Sequence, residues 1–380
     1  MARSGKAVLA REANRPVVVE TIEVESPRCD EIMVKVAACG VCHSDLSATN
    51  GTIAMPLPLI LGHEGAGSVV EVGEGVTDFA VGDAVISSFV NMCGKCRYCV
   101  TGRPNLCDVG ARAFAAMPDG TLRTKDAQGQ PLNIFSACGV MAEYATLSVN
   151  NAVRIQPGMP MPQAALISCG VMTGVGAAIN TARVEAGSSV LVIGAGGVGL
   201  NVIQGARIAG AGIIIAVDMA DNKLELARQF GATHVINASR EDNLVKAVKK
   251  LTGGGADYAF ECIGLGKMVE QAYRALRKGG KAIVVGVARG EDATSVKTAS
   301  LTFEEKTLTG SYYGGARPRE DFPRLIGMYQ TKQLKLDELI TRRYRIEEAP
   351  QAFADLEAGL NARGVIVFDE ERPTELPLGA

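Results

Sequence analysis

The chain has 380 residues, of which 47% are hydrophobic and 21% charged, and 39 basic residues oppose 41 acidic ones. This length predicts about two domains, and the charge balance, with no basic stripe, excludes the electrostatic pattern of a nucleic-acid-binding protein. The N-terminal residues lack a signal-peptide core, and Gly or Asp interrupts the longer apolar stretches, so we expect a soluble, cytoplasmic protein with no membrane partner.

The first part of the chain has the pattern of a β-rich domain. From Val17 to Gly170, short apolar segments such as Ser68–Val72 and Asp83–Ile86 are separated by glycines and prolines. Such spacing is typical of short strands joined by turns.

Three dispersed residues of this region, Cys42, His63 and Cys169, have side chains that bind transition metals. Each is weak evidence alone, because a single cysteine is more often a buried core residue. Together they could supply three protein ligands and leave a fourth position open, as in catalytic zinc sites. Two thiolates and a neutral imidazole would offset the charge of Zn²⁺, so a bound alcohol could ionise towards an alkoxide and release hydride more readily.

A second metal-binding pattern lies within one loop. Cys93, Cys96, Cys99 and Cys107 have the spacing C-x2-C-x2-C-x7-C, which can surround one tetrahedral Zn²⁺. Four thiolates leave no position for a substrate, so we expect a structural zinc there. The spacing leaves an iron–sulfur cluster or two disulfides open as alternatives.

The middle of the chain contains no proline between Pro162 and Pro318, as expected of helices and central strands that need every backbone donor. Apolar segments alternate here with helical patterns, which predicts an α/β fold with a doubly wound parallel sheet. The predicted strands are Ser189–Ile193, Ile213–Val217, His234–Ile236, Tyr258–Glu261, Ala282–Val287 and Thr307–Gly310. The predicted helices include Asp221–Phe230 with Asp221 as N-cap, Asp242–Leu251, and Lys267–Lys278 ended by Gly279 and Gly280.

A glycine loop follows the first of these strands. Gly194, Gly196 and Gly199 form the pattern G-x-G-x-x-G, and Asp218 follows nineteen residues later at the end of the next strand. Glycines let the backbone approach a pyrophosphate, and the N-terminus of the following helix attracts it. The Asp218 carboxylate could bind ribose hydroxyls but would repel a 2′-phosphate, which favours NAD over NADP. An ordinary glycine turn with an exposed aspartate is the alternative.

The last part of the chain predicts two amphipathic helices, near Asp321–Gln330 and Ala349–Leu360, and a final strand at Gly364–Phe368. We expect this tail to return to the first domain, and we expect Glu371–Ala380 to form a loose terminus.

Several motifs, in the same order along the chain, resemble those of the zinc-dependent alcohol dehydrogenases of the medium-chain dehydrogenase/reductase superfamily. They are CGVCHSD, GHEGAGSVVEVGEGV, the four-cysteine loop, LISCGVMTGVGAA, VLVIGAGGVGL and the AVD that contains Asp218. The resemblance implies a β-rich, GroES-like, zinc-binding catalytic domain at 1–170 and 313–380, and a Rossmann-type NAD-binding domain at 171–312. It also implies an enzyme with NAD and two zinc ions per subunit, which reversibly oxidises an alcohol to the aldehyde by hydride transfer from a zinc-bound alkoxide.

The resemblance also assigns roles to single side chains. Cys42, His63 and Cys169 correspond to the catalytic zinc ligands. Asp45 corresponds to the carboxylate that orients the His63 ring, Glu64 to an acid beside the zinc, and Ser44 to the group that takes the alcohol proton. The other matches are cofactor contacts at His43, Thr173, Gly194, Gly196, Gly197, Val198, Gly199, Asp218, Lys223 and Arg363, with His43 and Arg363 at phosphates, and pocket-lining rings at Phe89 and Phe135.

Two features of the resemblance bear on the reaction and its substrate. Where many relatives end a proton relay at a histidine, this chain has Ser47, so we expect the relay to end at water, Ser47 or His43. The loop Ala113–Phe135 resembles that of usually dimeric members, which predicts a homodimer, and that of glutathione-dependent formaldehyde dehydrogenases. Arg112 stands one place from the arginine expected in those enzymes, so their activity is an alternative.

The leading interpretation, which the resemblance implies, is an NAD-dependent zinc alcohol dehydrogenase, and two further alternatives stay open. The rings of Phe89 and Phe135 predict an apolar pocket for a medium-chain, allylic or aromatic primary alcohol. A nicotinoprotein that retains NAD and passes electrons to another acceptor is one alternative. An NAD-binding regulatory or structural protein is the other, and the presence of Cys42, His63 and Cys169 together argues against it.

We predict that the substitution Asp218→Gly shifts the cofactor preference towards NADP, because it removes the charge that repels a 2′-phosphate. The ratio of kcat/KM for NAD to kcat/KM for NADP, measured with one alcohol, should fall about tenfold or more. An unchanged ratio would contradict the role of Asp218.

Overall fold

The computed structural model describes residues 2–368, which form two compact units. The first unit contains the chain up to Cys169, Arg317–Gln330 and the chain from Leu336 onwards, and the second contains Gly170–Ala316 and Thr331–Lys335. These divisions lie a few residues from the predicted ones at 170 and 313, and the return of 331–335 to the second unit was not predicted. The predicted loose terminus at Glu371–Ala380 lies outside the described residues.

The first unit is built mainly from antiparallel strands, as the β-rich pattern predicted. Within residues 2–368 its strands form a five-stranded and a seven-stranded sheet. Gly364 of the last strand pairs with Val41 of the third, so the predicted return of the tail to this domain is confirmed. The strands are Arg3–Ala10, Val18–Val24, Glu31–Val41, Leu59–Ile60, Gly65–Val72, Ala84–Ser87, Thr124–Asp126, Asn133–Ile134, Tyr144–Ser148, Ala152–Arg154, Ile340–Tyr344 and Arg363–Val367.

The helices of the first unit pack apolar residues into its core. In Pro318–Gln330, the buried residues Phe322, Leu325 and Ile326 recur at helical spacing, which explains the predicted amphipathic helix. The other predicted tail helix is shorter than expected and ends at Glu357. The α-helices of this unit are His43–Thr49, Arg97–Val100, Asp108–Arg112, Met161–Leu166, Pro318–Gln330 and Ala349–Glu357.

The second unit contains the predicted parallel sheet, so the α/β, Rossmann-type fold is confirmed. In the described part of the chain the sheet has six strands, and each pair of neighbours is parallel. Their spatial order is His234–Asn237, Ile213–Asp218, Ser189–Ile193, Ala256–Glu261, Leu276–Val284 and Thr307–Gly310. From Ser189–Ile193, which leads into the glycine loop, the following strands of the chain lie first on one side within the sheet and then on the other. Dinucleotide-binding folds have the same arrangement of strands.

The helices of the second unit cover this sheet, and one predicted helix end was wrong. The helix predicted to reach Lys278 ends at Ala275, because Leu276 already pairs with Ala256 of the neighbouring strand. The strand predicted at Ala282–Val287 accordingly starts earlier and ends at Val284. The α-helices of this unit are Met172–Gly176, Gly197–Ile208, Asp221–Phe230, Leu244–Leu251, Gly266–Ala275 and Thr298–Phe303.

Two predicted helix starts also differ from the structure. The N-cap of Asp221–Phe230 is Ala220, so Asp221 is the first helical residue, and its carboxylate accepts a hydrogen bond from Asn237 at 2.7 Å. The helix predicted from Asp242 begins at Leu244, because the side chain of Asn243 caps it by accepting from the backbone N–H of Lys246.

One helical run is longer and more apolar than the sequence-based expectation allowed. Met161–Ala182 has the length and composition of a membrane span, although we expected Gly or Asp to interrupt every such stretch. Of its most apolar window, 83% is buried within the protein, as in a core helix. The run includes the π-helical segments Ile167–Val171 and Ala177–Ala182, and wide turns of this kind are frequent at functional sites.

A buried ion pair supports the first unit. The guanidinium of Arg123 is 1% exposed and donates two parallel hydrogen bonds to Glu31, at 2.9 and 2.6 Å. It also donates to Asp119 at 3.0 Å. This arrangement links the long loop that follows the four cysteines to the start of strand Glu31–Val41.

We predict that Arg123→Met destabilises the protein by about 3–5 kcal/mol, because it leaves the buried Glu31 carboxylate without its partner. Chemical denaturation should show an earlier unfolding midpoint. Arg15→Met is the matched control, since Arg15 and Glu12 are 73% and 75% exposed and lie 3.8 Å apart. Equal midpoints for the two variants would contradict the prediction.

Candidate active site

The structure brings the three dispersed ligands together. Cys42 caps the helix His43–Thr49, His63 lies in the turn before strand Gly65–Val72, and Cys169 lies in the π-helical segment Ile167–Val171. Their ligand atoms and a carboxylate oxygen of Glu64 all lie within 4.8 Å of one another, and all four residues are buried. Tetrahedral zinc with such ligands needs separations slightly below this, so the set can close around one ion.

The buried carboxylate of Asp45 orients the set. Its Oδ2 accepts a hydrogen bond from the backbone N–H of Cys42 at 3.3 Å, and its Oδ1 accepts one from Gly62 at 2.8 Å. Oδ1 also lies 3.3 Å from Nδ1 of His63. On the other side of that ring, Nε2 is buried and has no hydrogen-bond partner among the described residues. A buried nitrogen lone pair in this position fits a metal ligand.

The charges of this cluster also suit a cation. Hydrogen bonding to Cys169 holds the pKa of the Cys42 thiol well below its ordinary value, against the effect of burial. The same contact, together with burial, raises the pKa of Cys169. Burial opposes a charge on the His63 imidazole, but Asp45 and Cys42 raise its pKa above the ordinary value. A cation bound among these groups would favour their deprotonated forms, which are the forms that bind a metal.

Glu64 and Arg363 form a buried pair beside the ligands. The Arg363 guanidinium is 5% exposed and donates hydrogen bonds to the Glu64 carboxylate and to the carbonyl of Val41. Burial raises the pKa of Glu64 to about 7, although Arg363 acts in the opposite direction. The phosphate contact of Arg363 stays a prediction, and the guanidinium hydrogen-bonds to Glu64 and Val41 in this structure.

Aromatic rings surround the imidazole of His63. The rings of Phe89 and Phe135 meet it edge to face, with centroids 5.7 and 5.2 Å away. Phe114 packs against Phe135 in the same manner, at 5.9 Å. The two rings predicted to line a pocket therefore stand beside the metal ligands and give this side of the cluster an apolar wall.

The four-cysteine loop forms a separate cluster, and all ten cysteines are free of disulfides. The sulfurs of Cys93 and Cys99 are 4.0 Å apart, and those of Cys96 and Cys107 are 3.9 Å apart. Zinc–sulfur bonds of about 2.3 Å at tetrahedral angles separate sulfurs by about 3.8 Å. The backbone N–H groups of Cys96 and Cys93 donate to the sulfurs of Cys93 and Cys107, which supports thiolates there. The loop therefore has the geometry of a closed tetrahedral zinc site.

The glycine loop of the second unit combines closely packed glycines with one that faces open space. Gly194 has a φ of 94°, and a Cβ on Gly199 would lie 1.8 Å from the carbonyl oxygen of Gly194, so neither position accepts a side chain. A Cβ on Gly196 would meet nothing within 4 Å, which leaves open space where a pyrophosphate would approach. Gly197 begins the helix Gly197–Ile208, whose N-terminus attracts an anion.

The carboxylate of Asp218 stabilises the glycine loop through hydrogen bonds to backbone N–H groups. It accepts hydrogen bonds from the backbone N–H groups of Ala195 at 2.9 Å, Met219 at 2.8 Å and Ala220 at 3.2 Å. A carboxylate has about four acceptor positions. Asp218 can therefore hold the loop and still accept one further hydrogen bond, as the predicted ribose contact requires.

The remaining predicted residues are placed as follows. Val198 is partly exposed and adjoins the helix of Thr173, since a Cβ on Gly174 would lie 2.5 Å from the carbonyl oxygen of Val198. Lys223 is partly exposed in the first turn of Asp221–Phe230. His43 and Ser44 open the helix after Cys42, with His43 exposed and Ser44 partly exposed.

The sequence did not indicate a buried pair of serines at this site. The hydroxyl oxygens of Ser87 and Ser168 are 3.1 Å apart, and both lie near the carbonyl oxygen of His63. Ser168 directly precedes Cys169 within the motif LISCGVMTGVGAA, but the motif gave Ser168 no role, and Ser87 belongs to none of the motifs identified in the sequence. Only its adjacency to a ligand could have drawn attention to Ser168.

Comparison with known proteins agrees with this geometry. The family described as alcohol dehydrogenase GroES-like domain matches residues 28–157, and that described as zinc-binding dehydrogenase matches residues 197–331. The NDMA-dependent alcohol dehydrogenase of Amycolatopsis methanolica is 39% identical over 96% of this chain and 99% of its own length. The S-(hydroxymethyl)glutathione dehydrogenase of Paracoccus denitrificans is 37% identical over the same shares. The crystal structure of benzyl alcohol dehydrogenase from Acinetobacter calcoaceticus matches with a TM-score of 0.91 and 34% identity, over 97% of this chain and 100% of the other.

A parallel dinucleotide-binding sheet and a GroES-like unit with a buried cysteine and histidine cluster define an oxidoreductase that uses zinc and a nicotinamide cofactor. More specifically, the chain belongs to the zinc-dependent alcohol dehydrogenases of the medium-chain dehydrogenase/reductase superfamily, as the resemblance predicted. It is an enzyme that acts on alcohols, which sets aside the regulatory and structural alternative.

We predict that Cys107→Ser lowers the zinc content by one ion per chain, because three thiolates hold zinc less tightly than four. The loop should also become more sensitive to trypsin, which cleaves after Lys95 and Arg97. Elemental analysis and timed digestion measure the two effects. Cys29→Ser is the control, since Cys29 is an exposed free cysteine, and a full zinc content in Cys107→Ser would refute the prediction.

Proposed function

We propose that the protein reversibly oxidises a primary alcohol to the aldehyde, with NAD as hydride acceptor and a catalytic zinc held by Cys42, His63 and Cys169. The observation that carries this proposal is the partnerless, buried Nε2 of His63, which lies in one cluster with two cysteine sulfurs. Such a nitrogen costs free energy unless a ligand uses its lone pair. A second zinc, in the Cys93, Cys96, Cys99 and Cys107 loop, is proposed to be structural.

The side chains around the ligands have proposed roles in the reaction. Zinc, when bound, polarises the oxygen of an alcohol and lowers its pKa. Asp45 holds the His63 ring at Nδ1, which would leave Nε2 to bind zinc, and Arg363 offsets the charge of Glu64. The apolar rings around His63 exclude water, which strengthens the electrostatic interactions of the site.

The proton and the hydride leave the alcohol by different routes. Ser44 accepts the hydroxyl proton and passes it to Ser47, His43 or water, since His43 is exposed at the start of the same helix. A bound nicotinamide ring would accept the hydride, with its two electrons, from the carbinol carbon. The oxidised carbon becomes the aldehyde, so one proton and one hydride are released for each turnover.

NAD is the proposed cofactor because of the acid at the end of the second sheet strand. The carboxylate of Asp218 holds the glycine loop, and it is the proposed acceptor for the adenosine ribose hydroxyls. Its charge would repel the additional phosphate of NADP. Thr173 and Val198 are the proposed contacts of the nicotinamide, and Lys223 is a proposed ribose contact.

The proposed substrate is a medium-chain, allylic or aromatic primary alcohol. The edge-to-face rings of Phe89 and Phe135 beside His63 support an apolar, aromatic lining. The similarity to a benzyl alcohol dehydrogenase, with a TM-score of 0.91, agrees with an aromatic alcohol. A soluble, cytoplasmic homodimer is proposed on the family resemblance.

Two alternatives have specific support. The 39% identity to an NDMA-dependent alcohol dehydrogenase favours a nicotinoprotein, which would retain NAD through gel filtration and turn over with NDMA but without added NAD. The 37% identity to an S-(hydroxymethyl)glutathione dehydrogenase favours a glutathione adduct as substrate. Arg112, which is exposed, stands one place from the arginine expected in those enzymes. Assays with NDMA and with formaldehyde plus glutathione separate these from the leading proposal.

We predict that Cys169→Ala lowers kcat/KM by about a thousandfold or more, because loss of metal polarisation costs several kcal/mol of transition-state stabilisation. A steady-state screen of straight-chain, branched, aromatic and terpenoid alcohols with NAD identifies the alcohol for this measurement. Cys29→Ala serves as the control and should keep the wild-type rate. Wild-type turnover in Cys169→Ala would refute the proposed function.

A further inference from the structure

A pair of buried serine hydroxyls connects two of the candidate ligands. Ser87 and Ser168 are 2% and 0% exposed, and their hydroxyl oxygens lie 3.1 Å apart. The Ser168 hydroxyl lies 2.9 Å from the carbonyl oxygen of His63 and 2.6 Å from that of Ser87. The Ser87 hydroxyl lies 3.3 Å from the same His63 oxygen and accepts a hydrogen bond from the backbone N–H of Gly65 at 2.9 Å.

Hydrogen-bond counting shows that both hydroxyls are needed here. Each hydroxyl has one proton to donate, and the acceptors are the carbonyls of His63 and Ser87 and the other hydroxyl. One serine can donate to one carbonyl while the second donates to the remaining acceptor. Neither side chain is exposed, so water cannot easily replace either hydroxyl, and loss of one would leave a buried group with fewer partners.

The pair joins chain segments that carry different parts of the site. Ser168 immediately precedes Cys169 within the π-helical segment Ile167–Val171, where the backbone is not held by the regular α-helical pattern. Ser87 ends the strand Ala84–Ser87, two residues before Phe89, whose ring contacts His63. Both hydroxyls converge on the backbone of His63. A movement of the π-helical segment relative to His63 would therefore break these bonds.

We propose that Ser87 and Ser168 are positioning residues that fix the separation of His63 and Cys169 and thereby preorganise the zinc site. This inference rests on the proposed catalytic zinc at Cys42, His63 and Cys169. Asp45 orients the His63 ring, whereas the serines hold the backbone that carries it. Groups that support metal ligands from outside typically change metal affinity about 10–100-fold when they are removed.

Ser168→Ala is the cleaner substitution of the two. It removes one donor and leaves carbonyl oxygens with one partner fewer, which costs less than an unpaired N–H group. Ser87→Ala also leaves the backbone N–H of Gly65 without its acceptor and is expected to lower thermal stability as well. Because the two serines act on the same His63 carbonyl, the double variant should lose little more metal affinity than the worse single variant.

The experiment is a zinc competition titration against a chromophoric chelator, performed on the full-length protein loaded with zinc. The titration should show one phase for each zinc site. Cys42→Ser should remove the phase of the proposed catalytic zinc, and Cys96→Ser should remove the phase of the proposed structural zinc, so these variants assign the two phases. Ser168→Ala and Ser87→Ala should each weaken binding about tenfold in the Cys42 phase and leave the Cys96 phase unchanged. Co²⁺ substituted for zinc provides a second measurement, because its visible bands report ligand geometry and should shift in both variants.

The matched control is Ser311→Ala. The hydroxyls of Ser311 and Thr181 form a comparable pair, 2.9 Å apart, and lie in the second unit of the chain. This variant should keep both zinc phases and the wild-type cobalt spectrum. Circular dichroism confirms that each variant is folded, and Ser87→Ala tests the contact from the other side if Ser168→Ala does not fold.

The outcomes separate the two proposals. If Cys42→Ser removes one zinc phase but the serine variants keep wild-type affinity and cobalt bands, the positioning role is wrong and the proposed function stands. If Cys42→Ser removes no zinc, the catalytic zinc itself is wrong, and the positioning role is rejected with it. Weaker binding in both phases would also reject the positioning role, because it would indicate general destabilisation.

Discussion

The arrangement of the candidate site depends on a buried carboxylate, that of Asp45, which must find donors because it has no access to water. The donors come from the start of one helix at Cys42, from the turn at Gly62, and from the His63 ring. Because all three groups contact the same carboxylate, the helix start, the turn and the imidazole ring are held in one geometry. Nδ1 of His63 therefore lies beside Asp45, and the buried Nε2 keeps no hydrogen-bond partner among the described residues, as a metal-binding nitrogen would require.

Charge compensation explains why the first unit is discontinuous in sequence. Cys42, Cys169 and Glu64 place potential negative charges in one buried volume, and a positive group must offset them. Arg363 supplies that group from the last strand, which pairs with strand Glu31–Val41 next to the ligand turn. The end of the chain therefore completes the electrostatics of a site whose ligands come from its first half.

The second unit meets a different physical requirement, that of approaching a phosphate closely with the backbone. Gly199 packs against Gly194 with no room for a side chain, whereas Gly196 faces open space, so the same motif contains both packing and binding positions. Asp218 stabilises the loop through three backbone N–H groups. Each unit thus carries one component of the proposed reaction, the candidate metal ligands in the first and the candidate dinucleotide loop in the second.

By itself, the sequence determined the fold class and the strands Ser189–Ile193 and Thr307–Gly310, and it predicted which side chains could hold metal ions. These follow from local patterns, since apolar alternation, glycine spacing and cysteine spacing are all properties of short segments. Tertiary structure alone decided where the helix before Leu276 ends, because a strand partner twenty residues earlier competes with the helix. It also decided the partner of Arg363 and the pairing of Ser87 with Ser168, because hydrogen bonds between residues 81 or 299 positions apart leave no periodic signal in the sequence.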